Sequence, residues 1–378
     1  MFVTISVILL VYSLLTVYIG WHIWLFLSAV FGTVDVWALT AVLVLTALAY
    51  MIGRAGRRFL PRPLGAAFTW IGAYWLALFE YLVLLLPIAD LAALALRAAG
   101  LSSGVYIPAL GWTVTGILAV LLIVGSRNAW LPVVRSYDIA IPKPSGKRRE
   151  LRILAASDLH LGAIVGKRHL NRLVKEAERL RPDLILLPGD VIDDDIAPYV
   201  ANDMGSVMRK LRAPLGVYAV LGNHEYYGRT IPVYLEQMEA AGIRVLRDET
   251  VVIDGSLQLV GRKDKASEGH DPEGRLPIGR LLDGLDRSKP IVLMDHQPAE
   301  LRLAAEQGAD LTLSGHTHRG QLAPNHLLTK RLFDLDWGYR VIGGMHAVVS
   351  SGFGTWGPPL RIGSRSEIIL LRVRFGDR

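Results

Sequence analysis

The sequence predicts an α/β unit preceded by an all-α transmembrane region of about four helices, a division drawn by charge and hydrophobic period. Residues 1–126 hold only eight charged side chains (Asp35, Arg54, Arg57, Arg58, Arg62, Glu80, Asp90 and Arg97), while the rest of the 378-residue chain is charged like an ordinary globular domain. Four apolar runs fall in that first stretch, at about 4–30, 35–53, 64–88 and 105–126. A helix needs ~20 apolar residues to cross ~30 Å of hydrocarbon. From residue 151 onward, short apolar runs of strand type alternate with amphipathic segments at helical spacing. The expected domains are a transmembrane region at 1–126, a linker at 127–150 and the α/β domain at 151–378.

Composition agrees with that division. Hydrophobic residues make up 52% and the mean hydropathy is +0.35, too apolar for a wholly soluble protein of ordinary composition. Cysteine is absent, which excludes disulfides and thiolate metal sites. Net charge is +7, of which the first 126 residues supply +2 and the remainder +5. A modest basic excess suits an anionic bilayer surface, phosphorylated substrates or nucleic acid, and does not choose among them.

The first apolar run competes with a cleaved signal peptide. Met1-Phe2-Val3-Thr4 carries no basic residue, and the run is longer than a typical signal core, so it is read as a spanning helix. Arg54, Arg57, Arg58 and Arg62 crowd the second connection, and Arg127, Arg135, Lys143, Lys147, Arg148 and Arg149 follow the fourth helix. The first connection has Asp35 and no base, and the third has only Arg97. Lys and Arg accumulate on the cytoplasmic side of a membrane. The chain is therefore expected to be a multi-pass protein of the inner (plasma) membrane with its α/β half in the cytoplasm. Trp21, Trp24, Trp37, Trp70, Trp75, Trp112 and Trp130 lie near expected helix ends, as interfacial aromatic belts do. Glu80 reads as a polar contact between helices, and Asp90, following Pro87, as interfacial.

In the linker, Pro132, Pro142, Pro144 and Gly146 among basic residues read as a strand or extended arm followed by a surface connection. Leu151 to Ala156 then reads as a buried strand, and Ser157-Asp158-Leu159-His160-Leu161-Gly162 follows it. An Asp and a His two residues apart beyond a strand end can address one cation. Alone the pair is a common turn; four later stretches supply what a two-metal site still lacks. Lys167 to Leu180 reads as a helix with Leu170, Val174, Ala177 and Leu180 on one face. Leu184 to Leu187 is a second strand, running into Pro188-Gly189-Asp190. Asp190 could cap a helix; in a two-metal site it would bridge, the preceding Gly allowing close approach. Asp193, Asp194 and Asp195 read as acids that support the ligands or face solvent.

Gly216 to Leu221 is a third strand ending in Gly222-Asn223-His224-Glu225, which offers a neutral oxygen ligand and an imidazole able to donate a proton. Val251 to Val260 reads as a hairpin turning at Asp254-Gly255. Residues 262–275 read as an exposed loop with a solvated His270. Strand Ile291 to Met294 precedes Asp295-His296, and strand Leu311 to Ser314 precedes Gly315-His316-Thr317-His318. In an extended segment two His at i and i+2 share a face, so both can reach one dinuclear centre.

Taken in order, Asp158-x-His160, Gly189-Asp190, Gly222-Asn223-His224-Glu225, His296 and Gly315-His316-Thr317-His318 resemble the calcineurin-like metallophosphoesterase family over roughly residues 150–378. The tail from Ser351 to Gly357, with Pro359, Arg361 and Glu367, is similar to the membrane-associated bacterial branch. That branch has Gly where this chain has Arg319 and Arg where it has Ser351, departures that bear on the substrate pocket rather than the metals. The resemblance implies a two-sheet αββα sandwich with metals at the strands' carboxyl edge. It implies that Asp158, His160 and His318 hold one metal, that Asn223, His296 and His316 hold the other, and that Asp190 bridges. It also assigns His224 to the phosphate and leaving group as the catalytic residue. The implied cofactors are two divalent ions, Mn²⁺, Fe or Zn²⁺, which suit mixed carboxylate, imidazole and amide ligands. Two cations about 3.5–4 Å apart generate a hydroxide near neutral pH and clamp the oxygens of an in-line displacement. His224 then stabilises or protonates the departing alkoxide, and no covalent phospho-enzyme is required.

A site held near a bilayer meets lipid head groups at high effective concentration, so the expected substrate is a phosphomonoester or phosphodiester of a lipid or lipid-linked molecule. Leu327-Leu328-Thr329-Lys330-Arg331-Leu332-Phe333, with Trp337 and Tyr339 beyond, reads either as a flap packed on the sandwich or as an apolar segment dipping into an interface. Arg319 and Arg361 are candidates to contact a substrate anion, or surface salt-bridge partners. A soluble nucleotide or nucleic-acid substrate is the rival. It calls for aromatic residues interleaved with a basic stripe, and the α/β half has no such stripe, so no nucleic-acid partner is expected. A non-enzymatic membrane scaffold would show broken ligands, whereas all seven metal positions and His224 carry suitable types. The sequence does not fix an oligomeric state.

Overall fold

Sustained apolar composition without charge dictates helices at the start of the chain, because only a helix satisfies its own backbone in hydrocarbon. The computed structural model describes residues 2–56 and 59–376 and has four helices there long and apolar enough to cross a membrane. They are α1 (Phe2–Phe31), α2 (Val36–Ala55), α3 (Arg62–Ala98) and α4 (Ser103–Trp130). Asp35 starts α2 by accepting from the backbone N–H of Trp37 and Ala38 at 2.8 and 2.9 Å. Arg57 and Arg58, part of the charge asymmetry, lie outside the described residues.

Pro87 does not end α3, which continues to Ala98. Asp90, beyond that proline, accepts from Tyr18 Oη of α1 at 2.5 Å, with His22 Nε2 at 3.4 Å from its other oxygen. Trp75 departs from an interfacial belt; it is buried, and its Nε1 donates to Tyr12 Oη at 2.8 Å. A hydrogen-bonding partner on a neighbouring helix satisfies each of these groups. Helices α2 and α3 approach closely through small residues: a Cβ at Gly72 would lie 2.0 Å from the backbone nitrogen of Tyr50.

By internal contacts the chain divides into two compact units, Met1–Ser126 with Gly357–Leu360 and Arg127–Trp356 with Arg361–Arg378. The second unit is a sandwich of two six-stranded sheets. Its strands are β1 (Val133–Ile141), β2 (Glu150–Ala155), β3 (Leu184–Pro188), β4 (Val217–Val220), β5 (Ile243–Leu246), β6 (Glu249–Ile253), β7 (Leu257–Gly261), β8 (Ile291–Met294), β9 (Leu311–Ser314), β10 (Gly338–Ile342), β11 (Met345–Val349) and β12 (Glu367–Phe375). One sheet runs β1-β12-β2-β3-β4-β5 and the other β10-β11-β9-β8-β7-β6. Alternation sorts the side chains into layers. Ile153 and Ala155 of β2 face the inter-sheet core with Leu259, Val292 and Leu313, while Leu154 faces outward. That outward face is covered by α5 (Lys167–Leu180) through Leu170, Leu173, Val174 and Ala177. Leu281, Leu301 and Ala304 cover the outer face of the second sheet, completing an αββα arrangement.

Residues 133–141, within the stretch read as a linker, form β1 in parallel register with β12. Strands β6 and β7 make the expected hairpin, pairing Ile253 with Leu257 across a turn that places Asp254 and Gly255 at positive φ. The stretch 262–275 departs from an exposed loop: Arg262 is buried, with Nη1 3.0 Å from Asp295 and 2.5 Å from Glu300. The sequence reading missed this because both acids lie more than thirty residues downstream.

Overpacking a close backbone contact costs about 1–3 kcal/mol. Gly72→Leu is therefore expected to lower the thermal midpoint of the detergent-solubilised chain by several degrees, whereas Gly104→Leu, whose Cβ would meet open space, leaves it unchanged. Equal midpoints would contradict the α2–α3 contact.

Candidate metal centre

Strands β2, β3 and β4 are mutually parallel, as are β7, β8 and β9, so the loops that follow them emerge at the strands' carboxyl ends. The predicted residues occupy five of these loops: Asp158 and His160 after β2, Asp190 after β3, Asn223 and His224 after β4, His296 after β8, and His316 and His318 after β9. All are buried except His316, which is half-buried. Asp158, His160, Asp190, His316 and His318 all have positive φ, between 47° and 70°. Left-handed backbone at non-glycine residues costs about 1–3 kcal/mol each and persists only where the surroundings over-determine it. Here they do. Asp158 N donates to Gly189 O and His160 N to Asp190 O, each at 3.0 Å, and His316 N donates to Asp158 Oδ1 at 3.0 Å. His316 and His318 join the two donor groups not from an extended segment but from left-handed positions on either side of a right-handed Thr317, which sends the rings to different groups.

Those groups are distinct. Donor atoms of Asp158, His160 and His318 lie within 4.8 Å of one another, and so do those of Asp190, His296 and His316. In the first, His160 Nε2 faces His318 Nε2 at 3.0 Å, and His318 Nε2 is 3.5 Å from Asp158 Oδ1. In the second, His296 Nε2 is 3.0 Å from Asp190 Oδ2 and His316 Nδ1 is 2.8 Å from Asn223 Oδ1. Donors around a cation at bond lengths of about 2.1 Å stand roughly 3.0–3.4 Å apart, so these spacings fit metal coordination. His296 Nδ1 reaches Pro188 O at 2.8 Å, an arrangement that puts the proton on Nδ1 and leaves Nε2 to a metal. That buried Nε2 makes no hydrogen bond.

Electrostatics agrees for His160, His316 and His318. At His296 burial is outweighed by the charges of Asp190, Asp158 and Asp264, which raise it well above its usual value, so a cation at its Nε2 would replace a proton. Burial pushes His160 down to about 3 and His316 down to about 4, with neighbouring imidazolium charge adding to the effect, so both rings are neutral as ligation requires. Burial opposes the charge on Asp190, but His296 beside it outweighs burial and holds the carboxyl well below its usual range. His224 behaves differently. Burial works against its charge, yet the Asp194 hydrogen bond and the charges of Asp190, Asp194 and Asp193 raise it to about 9. Its Nδ1 lies 2.6 Å from Asp194 Oδ1.

Glycines open the space. A Cβ at Gly222 would lie 2.1 Å from Asp190 Oδ1, and one at Gly315 would lie 2.1 Å from Asp158 Oδ2. Gly189, expected to admit Asp190, makes room instead for the His296 ring, 2.5 Å from where its Cβ would be.

One supporting residue escaped the sequence reading, and a second was read only as one of three acids. Glu225 accepts from the backbone N–H of Asp190, Ile192 and Gly222 at 3.2, 2.9 and 2.7 Å, tying the loops after β3 and β4 together. Burial and the Asp190 charge push its carboxyl up to about 8. Its place in the Gly-Asn-His-Glu run was the available signal. Asp194 was grouped with its neighbours, and only geometry separates it as the partner of His224, whereas Asp195 accepts from Ala197 N at 2.8 Å. Arg361 is not a surface group poised over substrate. It is fully buried, donating to Gly354 O at 2.7 Å and Ser364 Oγ at 3.2 Å, with Nη2 3.1 Å from His318 Nδ1. Arg319 stacks on Trp337, its Cζ 4.0 Å from the ring centroid. His270 stands apart from both donor groups, its Nδ1 2.9 Å from Ala266 O.

Comparison with known proteins gives this geometry a family. The sequence profile of the calcineurin-like phosphoesterases matches residues 151–320. An uncharacterized metallophosphoesterase of Aquifex aeolicus is 33% identical over 246 residues, covering 64% of this chain and 91% of that protein. A transmembrane protein with metallophosphoesterase domain from Danio rerio is 32% identical over 263 residues, covering 67% of this chain and 60% of the other. Among solved structures, TT1561 of Thermus thermophilus is 19% identical, covering 53% of this chain and 88% of its own, with a TM-score of 0.38. The match to nearly the whole Aquifex protein, together with the family profile on the residues that carry the clustered donors, means that the chain belongs to the calcineurin-like metallophosphoesterases, metal-dependent hydrolases of phosphate esters.

Proposed function

We propose that this protein is a membrane-anchored dinuclear phosphoesterase whose substrate is a lipid or lipid-linked phosphomonoester or phosphodiester. The observation that carries the dinuclear reading is the position of Asp190 Oδ2, 4.0 Å from His160 Nε2 of one donor group and 3.0 Å from His296 Nε2 of the other. In this reading Asp158, His160 and His318 hold one divalent cation, Asn223, His296 and His316 hold the second, and Asp190 serves both. Mn²⁺, Fe and Zn²⁺ suit that mixture of donors. When bound, the pair supplies Lewis acidity to the phosphoryl oxygens and lowers the pKa of water toward neutrality.

The chain's own residues do the rest. Asp194 takes up Nδ1 of His224, which leaves Nε2–H for a phosphoryl oxygen or the departing alkoxide. Its raised pKa keeps that proton available at neutral pH. Glu225 fixes the backbone on either side of Asp190, so the shared carboxylate and His224 keep their separation; His224 N donates to Asp190 Oδ1 at 3.0 Å.

The four apolar helices support anchoring in the membrane as a multi-pass protein, with 1–126 as the membrane domain and 151–378 as the catalytic domain, to which the stretch 127–150 contributes β1. The Arg residues at 54–62 and the bases that follow α4 support a cytoplasmic catalytic domain at the inner (plasma) membrane. Such a site meets phosphate esters chiefly as lipid head groups, which is the ground for the substrate class.

With Mn²⁺ present, the detergent-solubilised chain is expected to hydrolyse an aryl phosphodiester or monoester and to lose that turnover on chelation. Asp190→Asn and His224→Ala should each lower kcat by about 10²-fold or more. Turnover that survives chelation, or is unchanged in both variants, would contradict the reading. Asp194→Asn should slow alkyl esters about tenfold more than 4-nitrophenyl esters, because a good leaving group needs little protonation. Equal slowing of the two classes would remove His224 from the leaving-group step.

A further inference from the structure

Residues His326–Leu332 form a short helix after the loop that carries His316 and His318, and none of its residues is buried. At about 100° per residue, Leu327, Leu328 and Leu332 fall within an arc of about 140° that also contains Arg331, while the exposed Lys330 lies about 60° outside it. The opposite side carries His326 and Thr329. The sequence allowed a flap whose leucines pack on the sandwich, and the structure overturns that option. Leu327, Leu328 and Leu332 are 58%, 62% and 75% exposed. The inward side is the one that is held: Thr329 Oγ donates to Asp336 Oδ2 at 2.7 Å.

That anchor leads to the metal centre. Asp336 O accepts from Thr317 Oγ at 2.5 Å, and Thr317 lies between His316 and His318. Phe333, the residue after the helix, has its ring 6.0 Å from the His316 ring at 77°. A helix fixed on its polar side and bare on its leucine side, beside two metal ligands, is a rigid feature with an apolar face turned to the surroundings.

We propose that the His326–Leu332 helix docks on an anionic bilayer. Leu327, Leu328 and Leu332 enter the boundary between head groups and acyl chains, and Arg331 on that face and the exposed Lys330 on its flank meet lipid phosphates through their long stems. Two features choose a bilayer over a protein partner. The basic pair among leucines complements anionic head groups, and the same chain carries four helices able to span a membrane, so the surface is present at high effective concentration. The consequence rests on the lipid-ester reading above: docking would bring the His316 and His318 loop to the depth at which a lipid phosphate ester lies.

The absence of cysteine permits a direct measurement. Leu328→Cys in the full chain, labelled with an environment-sensitive fluorophore, is reconstituted in phosphatidylcholine vesicles with or without phosphatidylglycerol. Docking predicts blue-shifted emission and at least twofold quenching by lipids spin-labelled near the head group, greater when phosphatidylglycerol is present. Emission characteristic of water, with no quenching in either vesicle, would overturn the proposal. Equal quenching in both would overturn the role of Lys330 and Arg331. As a second variant, the combined change Leu327→Ser, Leu328→Ser and Leu332→Ser should retain hydrolysis of a soluble aryl ester. It should lose about tenfold on a vesicle-borne lipid ester, and equal rates on that ester would count against docking as the route to substrate. Quenching without hydrolysis of any lipid ester would sink the substrate reading and leave the docking intact.

Discussion

One buried carboxylate sets the arrangement of the second unit. Asp190 is 1% exposed, and a charge so far from water is stable only among groups that replace hydration. Its partners come from three other loops: His296 after β8, the backbone of His224 after β4 and, farther off, His160 after β2. Neither sheet could supply these alone, since β2 and β4 belong to one and β8 to the other. The αββα architecture brings together the ends of two parallel strand sets, and the Asp190 requirement accounts for the tight, left-handed loops found there. Glycines at 222 and 315 leave space for carboxylate oxygens, and Glu225 ties the backbone on either side.

The same region holds proton chemistry apart from cation chemistry. His160, His316 and His318 are pressed toward neutrality by burial, while His224, a few ångströms away and backed by Asp194, keeps its proton. Environment rather than residue type sets these four imidazoles apart, while at His296 burial yields to the charges of Asp190, Asp158 and Asp264, which favour its charged form. The proposed docking of the 326–332 helix would tie the bilayer to the same region, because the inward side of that helix is linked through Asp336 to Thr317, between His316 and His318.

Much of this was legible in the sequence because the relevant signals are local. α5 spans Lys167–Leu180 as its apolar spacing predicts, and β8 and β9 match the apolar runs 291–294 and 311–314. Every proposed ligand follows a strand, since the pattern of strand, small residue and donor is written in consecutive positions. What could not be read depends on pairs distant in the chain. Arg262 is buried because Asp295 and Glu300 meet it, Arg361 because Gly354 and Ser364 accept from it. Asp90 finds its partner in Tyr18, 72 positions earlier in the chain. Backbone handedness was equally hidden: residues that alternate in sequence as though extended sit in left-handed positions, and this sends His316 and His318 to separate groups.

The most direct test is metal stoichiometry of the purified full-length chain by plasma mass spectrometry after loading with Mn²⁺ and removal of free ion. The geometry predicts two equivalents per chain, about one in His318→Ala or His296→Ala, and near zero in Asp190→Ala, because that carboxylate serves both donor groups. A single equivalent in the parent chain, or two retained without Asp190, would contradict a centre built around it.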